Sequence, residues 1–176
     1  MVDGQPFLDA DAIRDATFVR SVELYDTLPS TNDRAVALAA EGDLETPALV
    51  VTRLQTAGRG RGTNTWWAAE GALTFSLILD TGQWGVAQRD WPRLSLMTAV
   101  AVCDALSELA PRNSLAIKWP NDVLIDDAKV CGILCEAGVR HVVVGIGLNV
   151  SQSEEDFTAA GLPSATSLAL TSCRTF

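Results

Sequence analysis

Apolar residues along the chain recur with the two-residue period of strands in some segments and with the helical period in others. Strands are predicted at Ser21–Leu28 and at residues 47–54, 71–79, 115–117, 123–125, 129–135 and 140–144. Helices are predicted within residues 7–20, after the polar residues 30–33, within residues 89–109 and from residue 168 onward. The pattern therefore predicts a chain that mixes strands with helices.

Several local features carry more specific structural predictions. The helix within residues 89–109 has apolar residues on nearly all sides, which predicts deep burial. Asp126 and Asp127 predict a tight turn between two strands. Gly132, inside the second of these strands, predicts a bulge or a close approach to the backbone. The sequence Gly-x-Gly at residues 145–147 is predicted to lie at the end of a strand, where its bare backbone would admit another group.

Residues 55–67 (QTAGRGRGTNTWW) directly follow a predicted strand and contain the Gly-Arg loop, residues 58–62. Glycine lets backbone N–H groups approach a ligand, and arginine can bind phosphate or carboxylate in two places. In an extended loop Arg59 and Arg61 point the same way and would converge on one anion. The alternative is a solvated surface loop. A Walker phosphate-binding loop is excluded because the GxxxxGK[ST] pattern is absent.

Three further segments could face a ligand. Residues 30–32 (STN) precede a predicted helix, where they would either cap it or present side chains to a ligand at its N-terminus. Residues 118–122 (KWPND) follow a short strand, and the only two lysines of the chain, Lys118 and Lys129, flank this region. Trp66 and Trp67 follow the Gly-Arg loop, and the sequence leaves open which of them lies in the core and which stacks on a ligand.

Composition narrows the class of protein. The length of 176 residues suggests one domain, and the formal net charge of −9 disfavours nonspecific binding to nucleic acid or to anionic membranes. Four cysteines without a Cys-x-x-Cys pair, and a single histidine, argue against a zinc site and for reduced thiols, so no metal ligands are predicted. Because neither a signal peptide nor an apolar run of membrane-spanning length is visible, a cytoplasmic protein is expected.

Taken in order, these segments resemble the catalytic domain of biotin protein ligases over about residues 21–170. The resemblance is carried by residues 30–32, by the Gly-Arg loop with Gln55 and Trp66, and by residues 118–122. It continues through residues 129–134 (KVCGIL) with Glu136, residues 145–149 (GIGLN) and residues 165–168 (ATSL). The pairing of GRGR with KWPND at this separation is specific, whereas either motif alone is not.

The resemblance implies an α/β (α+β) fold, a mixed and largely antiparallel sheet with helices on one side, related to class II aminoacyl-tRNA synthetases and lipoate ligases. It also implies a two-step reaction. The carboxylate of biotin attacks the α-phosphate of ATP, giving biotinyl-AMP, and a lysine of a biotin carboxyl carrier domain then takes the biotinyl group. Biotin and ATP would be the substrates, with Mg²⁺ accompanying ATP.

Roles for individual residues follow from the same resemblance. Arg61 and Lys118 would be catalytic, neutralising the carboxylate and the α-phosphate. The biotin site would comprise Ser30, Thr31, Asn32, Gln55, Arg59, Gly60, Arg61 and Lys118. The nucleotide side would comprise Trp66, Asn121, Lys129 and Asn149.

The match departs from the family pattern at two places. Asn64 stands where many bacterial members have a third arginine, which weakens any expectation of a third phosphate contact. The family usually adds helices and a small SH3-like barrel after the ATSL segment, so residues 1–176 are expected to form the catalytic domain alone. That domain would have neither this barrel nor an N-terminal winged helix. No operator binding is therefore expected; the resemblance leaves a homodimer possible.

Two other classes of function stay open from the sequence. A lipoate or octanoate ligase or transferase would keep the fold and change the acid. A binding protein without enzymatic activity, either an RNA-binding Gly-Arg protein or a truncated biotin-binding module without transfer activity, is the third class. The net charge of −9 argues against RNA.

Overall fold

Seven strands form one sheet in the computed structural model, which describes residues 7–83, 85, 87–109 and 114–171. The strands are β1 (Ser21–Leu28), β2 (Ala48–Gln55), β3 (Ala72–Asp80), β4 (Leu115–Lys118), β5 (Asp122–Ile125), β6 (Ala128–Ala137) and β7 (His141–Asn149). Their order in the sheet is β1-β2-β3-β7-β6-β5-β4. β1 and β2 are parallel, and the other described pairs are antiparallel. The predicted mixed, largely antiparallel sheet is confirmed.

Five α-helices accompany the sheet in the described part of the chain. They are α1 (Ala10–Ala16), α2 (Thr31–Ala40), α3 (Leu94–Leu106), α4 (Glu154–Ala159) and α5 (Leu168–Thr171), and a 3-10 helix at Gln88–Arg93 leads into α3. No helix was predicted from the sequence at the position of α4. This short helix begins at a capping box in which Ser153 and Asp156 bond each other's backbone N–H, and it buries Phe157. None of the described helices has the length and apolar character needed to cross a membrane.

Helices pack on both faces of the sheet, so the expectation of helices on one side is wrong. Successive residues of a strand point to opposite faces, and β7 is apolar on both. Val142 and Val144 pack in the cluster that contains Ala99 of α3. Val143 between them packs in the cluster that contains Ala35 of α2. The sheet therefore separates two apolar layers.

The predicted deep burial of the helix within residues 89–109 is also wrong. Ala99 and Leu106 of α3 are buried, whereas Leu96, Met97 and Val100 are 40%, 64% and 46% exposed. Helical spacing shows that apolar residues lie on several sides of a helix, but burial requires an element against each side. In the described part of the chain, only one side of α3 faces the sheet.

The strand pairings test the predictions made for turns and glycines. Asp126 and Asp127, at φ of 48° and 65°, form the predicted tight turn between β5 and β6. The irregularity in this pair lies at Val123/Leu124 rather than at Gly132. The alternative predicted for Gly132, a close approach to the backbone, is found, because a Cβ there would lie 3.0 Å from the Trp66 ring. Residues 145–147 lie inside β7, which continues through Asn149, so their predicted position at a strand end is wrong. Their bare backbone admits other groups as predicted, because Asn32 and Trp66 lie against it.

Candidate functional site

Three glycines on neighbouring strands form a shallow trough on the α2 side of the sheet. Gly132 of β6 lies directly opposite Gly147 of β7, and Gly145 lies two residues further along β7. A Cβ atom at Gly145 would lie 2.0 Å from Asn32 Oδ1, and one at Gly147 would lie 2.3 Å from the Trp66 ring. Both distances are too short for real contacts. The glycine trough (Gly132, Gly145 and Gly147) therefore leaves room in which side chains from other elements lie against the sheet.

A cavity of about 380 Å³ lies over this trough, which is within the usual range for small-ligand sites. It brings together most of the residues predicted from the sequence. Those that line it are Ser30, Thr31, Asn32, Gln55, Arg59, Gly60, Arg61, Trp66, Asn121 and Lys129.

The N-terminus of α2 forms one end of the cavity. Ser30 Oγ caps the helix by accepting from the backbone N–H of Asp33, at 3.3 Å, and Ser30 also lines the cavity. The two alternatives left open for this segment, capping and ligand contact, are therefore compatible in this structure. The backbone N–H and the hydroxyl of Thr31 both donate to Gln55 Oε1, at 2.7 and 3.1 Å. These two bonds fix the Gln55 amide so that its Nε2 donor points away from α2.

Asn32 is the most constrained side chain at this end. Its Nδ2 donates to the Leu134 carbonyl at 3.2 Å and to Glu136 Oε2 at 2.8 Å. Its Oδ1 accepts from Ser76 Oγ at 2.6 Å. With 4% of its surface exposed, the side chain is locked in one orientation against the bare face of Gly145.

The Gly-Arg loop folds over the cavity as part of a short hairpin. Gly60 N–H donates to the Asn64 carbonyl at 2.8 Å, and Trp66 N–H donates to the Gly58 carbonyl at 2.9 Å. Gly62 has a φ of 69° and so takes the left-handed conformation that the turn requires. The loop is therefore ordered by its own backbone bonds, and Trp66 is set into the cavity at its end.

The two arginines of the loop have different partners. Arg59 pairs with Asp33 at 2.8 Å and with Glu136. Arg61 is exposed, lines the cavity and forms no ion pair within residues 7–83, 85, 87–109 and 114–171. Both line the cavity as predicted, but Arg61 is the cation whose charge is uncompensated there.

The other end of the cavity contains an aromatic ring and a lysine. Trp66 lies across Gly132 and Gly147, and Lys129 Nζ lies 5.5 Å from the centre of its ring, within cation–π range. Lys129 Nζ also pairs with Asp122 Oδ1 at 2.7 Å. Trp66 Nε1 is buried without a hydrogen-bond partner among the described residues, as is the Thr74 hydroxyl, which lines the cavity nearby. Trp67 instead packs edge-to-face on Phe157, so Trp66 is the tryptophan of the site.

Two residues predicted for the site lie outside its lining. Lys118 is exposed on β4, the edge strand, directly opposite Asp122 in the pairing. Lys118 does not line this cavity, and Lys129 is the lysine that does; a role for Lys118 stays a prediction. Asn149 is buried, and its Nδ2 donates to the Thr166 carbonyl at 2.9 Å, while its Oδ1 has no partner in the described region.

The sequence did not lead us to predict three residues of the site, Thr74, Ser76 and Asp122. Thr74 and Ser76 occupy alternate positions of the apolar strand β3 and so lie on the same face. Polar residues at every second position of an otherwise apolar strand were the signal. Asp122 was quoted as part of KWPND, but its ion pair with Lys129 depends on strand pairing that the sequence does not specify.

A mixed sheet on which a helix N-terminus, a glycine-rich loop and a glycine trough enclose one polar cavity defines a protein that binds a small ligand. Residues 24–150 match the model of the biotin/lipoate A/B protein ligase family, and the chain belongs to this family.

Named relatives and solved structures are consistent with that assignment. The chain is 41% identical over 150 residues to the bifunctional ligase/repressor BirA of Bacillus subtilis, a match covering 82% of this chain and 45% of the relative. It is 36% identical over 171 residues to a biotin–[acetyl-CoA-carboxylase] ligase of Mycobacterium tuberculosis, covering 93% and 62%. The biotin protein ligase from Aquifex aeolicus, solved with biotin and ATP, aligns at a TM-score of 0.70 and 29% identity over 89% of this chain and 63% of that one. The chain spans about half the length of several curated relatives that it matches.

Proposed function

We propose that this chain activates biotin with ATP to form biotinyl-5′-AMP and then transfers biotin to a lysine of a carboxylase carrier domain. The observation that carries the proposal is one cavity that joins a fixed polar end at Asn32, an arginine without an ion pair among the described residues, and a lysine over an aromatic ring. An acid and a nucleotide could occupy its two ends and react between them.

The free polar groups of the Asn32 end suit the ureido ring of biotin. This ring carries one carbonyl acceptor and two N–H donors. Gln55 Nε2 and the Ser30 hydroxyl hydrogen are available to donate, since Gln55 Oε1 and Ser30 Oγ already accept from α2. The Thr74 hydroxyl, which lies opposite Gly147 toward the Trp66 end and has no partner among the described residues, can accept. The dithiolane ring of lipoate has no comparable donors, which favours biotin over the lipoate alternative.

The cations of the cavity would permit one anion to attack another. A carboxylate approaching a phosphate is repelled, and preorganised positive groups lower that barrier. We assign this role to Arg61 and Lys129, which both line the cavity. Lys118, predicted for the role from the sequence, is exposed on β4 opposite Asp122 and does not line the cavity. The glycines of the loop would let it close over the reactive anhydride and keep water away.

The Trp66 end would hold the nucleotide. Stacking on the Trp66 ring, with Lys129 and Asn121 beside it, would fix the base and phosphates. The unpartnered Oδ1 of Asn149 is a further acceptor near this end, because the amide of Asn149 bonds to the backbone segment that pairs with Lys129. Mg²⁺ bound with ATP would carry the charge of the leaving pyrophosphate.

The acceptor of biotin, the oligomeric state and the cellular location complete the proposed function. Named relatives are biotin–[acetyl-CoA-carboxylase] ligases, which supports a carboxylase carrier domain as the acceptor. A homodimer and a cytoplasmic location stay predictions from the sequence. Mixing the chain with a biotin carboxyl carrier domain, biotin and ATP should label one carrier lysine, detected by mass spectrometry.

The first step can be tested by comparing acids. Pyrophosphate release with Mg²⁺ and ATP should depend on biotin and should be far slower with lipoate or octanoate at equal concentration. Equal rates with lipoate would contradict the proposed preference for biotin and would favour a lipoate ligase. Binding of biotin by calorimetry without pyrophosphate release would indicate a binding module without activity.

A further inference from the structure

We infer that Glu136 is a positioning residue, which aligns the amide of Asn32 and holds the Gly-Arg loop through Arg59; this inference rests on the proposed function. Glu136 lies on β6, on the same face of the sheet as Gly132, and does not line the cavity. It would not touch the acid itself.

A single carboxylate oxygen joins three elements of the fold. Glu136 Oε2 accepts from Asn32 Nδ2 of α2, at 2.8 Å, and from the Arg59 guanidinium of the loop. In sequence, Glu136 lies 104 residues from Asn32 and 77 residues from Arg59. Hydrogen bonds that involve a charged group are about twice as strong as neutral ones, so this oxygen is a strong junction between α2, β6 and the loop.

The first consequence concerns the orientation of Asn32. A carboxylate can only accept, so the Asn32 amide must turn its Nδ2 toward Glu136 and its Oδ1 toward Ser76. The bare backbone of Gly145 lies against that Oδ1. Without Glu136 the amide would keep only the Leu134 carbonyl as a partner for its Nδ2 donors. The polar end of the acid site would then lose its fixed pattern.

The second consequence concerns the loop. The backbone bonds of the hairpin order the loop internally, and a side-chain anchor adds a link from the hairpin to α2 and β6. Arg59 supplies that anchor by pairing with Glu136 and Asp33. Arg59 is thereby committed to carboxylates of this chain, which leaves Arg61 as the arginine that meets the anionic ligand. The two arginines of the motif have divided roles.

The test separates the two consequences by variant. Glu136→Ala removes both bonds, Glu136→Gln keeps an acceptor without the charge, and Asp33→Asn weakens the anchor of Arg59 without touching Asn32. Glu155→Gln, on the exposed side of α4, serves as the matched control. The readouts are the KM for biotin, the KM for ATP and kcat in pyrophosphate release, and the rate of tryptic cleavage after Arg59 and Arg61.

We expect Glu136→Ala to raise the KM for biotin on the order of 10- to 100-fold, because two charge-assisted bonds are lost. The KM for ATP should change by no more than about threefold, because the bonds of Glu136 to described residues go to Asn32 and Arg59 and not to the Trp66 end. Cleavage in the loop should accelerate. Glu136→Gln should recover much of the KM for biotin while the loop stays easily cleaved, and Asp33→Asn should accelerate cleavage with a far smaller rise in KM.

Unchanged KM for biotin and unchanged cleavage in Glu136→Ala would overturn the inference. So would equal losses in both KM values with a lowered melting temperature, since that result describes general destabilisation. If the wild type releases no pyrophosphate, the proposed function fails instead. The inference is then decided by calorimetric binding of biotin and by tryptic cleavage in the same four variants.

Discussion

At the Asn32 end of the glycine trough, both polar atoms of the amide have partners, whereas at the Trp66 end the indole N–H has none in the described residues. One end is fixed by hydrogen bonds from three elements. The other is formed by a ring lying on two glycines, with one lysine above it. The same trough thus carries a rigid polar surface and a flat aromatic surface.

The difference indicates how one cavity can serve two ligands. A hydrogen-bonding head group is selected by donors and acceptors whose directions are fixed in advance. A nucleotide base can be held by stacking, which tolerates small movements of the ring. We therefore expect substitutions at the Asn32 end to act on the acid, and substitutions at the Trp66 end to act on the nucleotide.

The largest effect is expected from the lysine at the Trp66 end. Lys129→Ala should slow pyrophosphate release by about 10²–10³-fold, as expected for loss of one preorganised group that stabilises charge. Lys118→Ala, on the exposed edge strand, is the matched control and should slow it by less than about tenfold. The reverse order of the two variants would restore the role that the sequence alone suggested for Lys118.

A methyl group at the rigid end should be the next most damaging change. In Gly145→Ala the new Cβ would lie 2.0 Å from Asn32 Oδ1, and Asn32 is held too firmly to move without losing bonds. We expect a loss of about 1–3 kcal/mol in the free energy of unfolding. Biotin affinity, measured by calorimetry, should fall by more than the affinity for ATP. Wild-type biotin affinity in a folded variant would contradict the rigid description of this end.

The corresponding change at the aromatic end should act on the other ligand. In Gly147→Ala the Cβ would meet the Trp66 ring at 2.3 Å, but the N–H of this ring has no hydrogen-bond partner among the described residues, so the ring can tilt without losing one. ATP affinity should fall by about 5- to 20-fold with biotin affinity nearly unchanged. Equal losses for both ligands, measured by the same calorimetry, would remove the distinction between the two ends.

The smallest effect concerns a thiol that reports whether these variants keep the sheet intact. Burial raises the pKa of Cys131, the neighbour of Gly132 on β6, to about 12. Because that pKa lies far above 8, the thiol stays protonated at pH 8 and should react slowly with iodoacetamide. Mass spectrometry after alkylation should find Cys131 unmodified in the wild type and in both glycine variants. Rapid alkylation in a variant would assign its binding defect to unfolding.

Much of the architecture could be predicted from local patterns. β1 was predicted at its observed bounds, and the segment at residues 30–32 was identified both as a cap and as a candidate for ligand contact. These features depend on short-range periodicity and on capping chemistry, which the sequence contains. The fold class came from the resemblance rather than from periodicity, because no local pattern specifies the order of strands in a sheet.

The site was harder to predict where it depends on which strands are neighbours. Lys118 and Lys129 flank the same motif, but β6 pairs with β7 at the trough while β4 lies at the edge, so only Lys129 lines the cavity. The space beside Gly145 and Gly147 is filled by Asn32 and Trp66, which are more than seventy residues away in sequence. The prediction that α3 is deeply buried was wrong for the same reason, because an apolar pattern does not show which elements cover the helix.

The most direct test of the account is whether this cavity makes and keeps the mixed anhydride. The chain would be mixed with biotin, Mg²⁺ and ATP in the absence of carrier, passed through a desalting column, and analysed by mass spectrometry for bound biotinyl-AMP. We predict about one equivalent bound per chain, as expected for one cavity, and its loss in Lys129→Ala. Absence of biotinyl-AMP in the wild type, or full retention in Lys129→Ala, would contradict the assignment of this cavity.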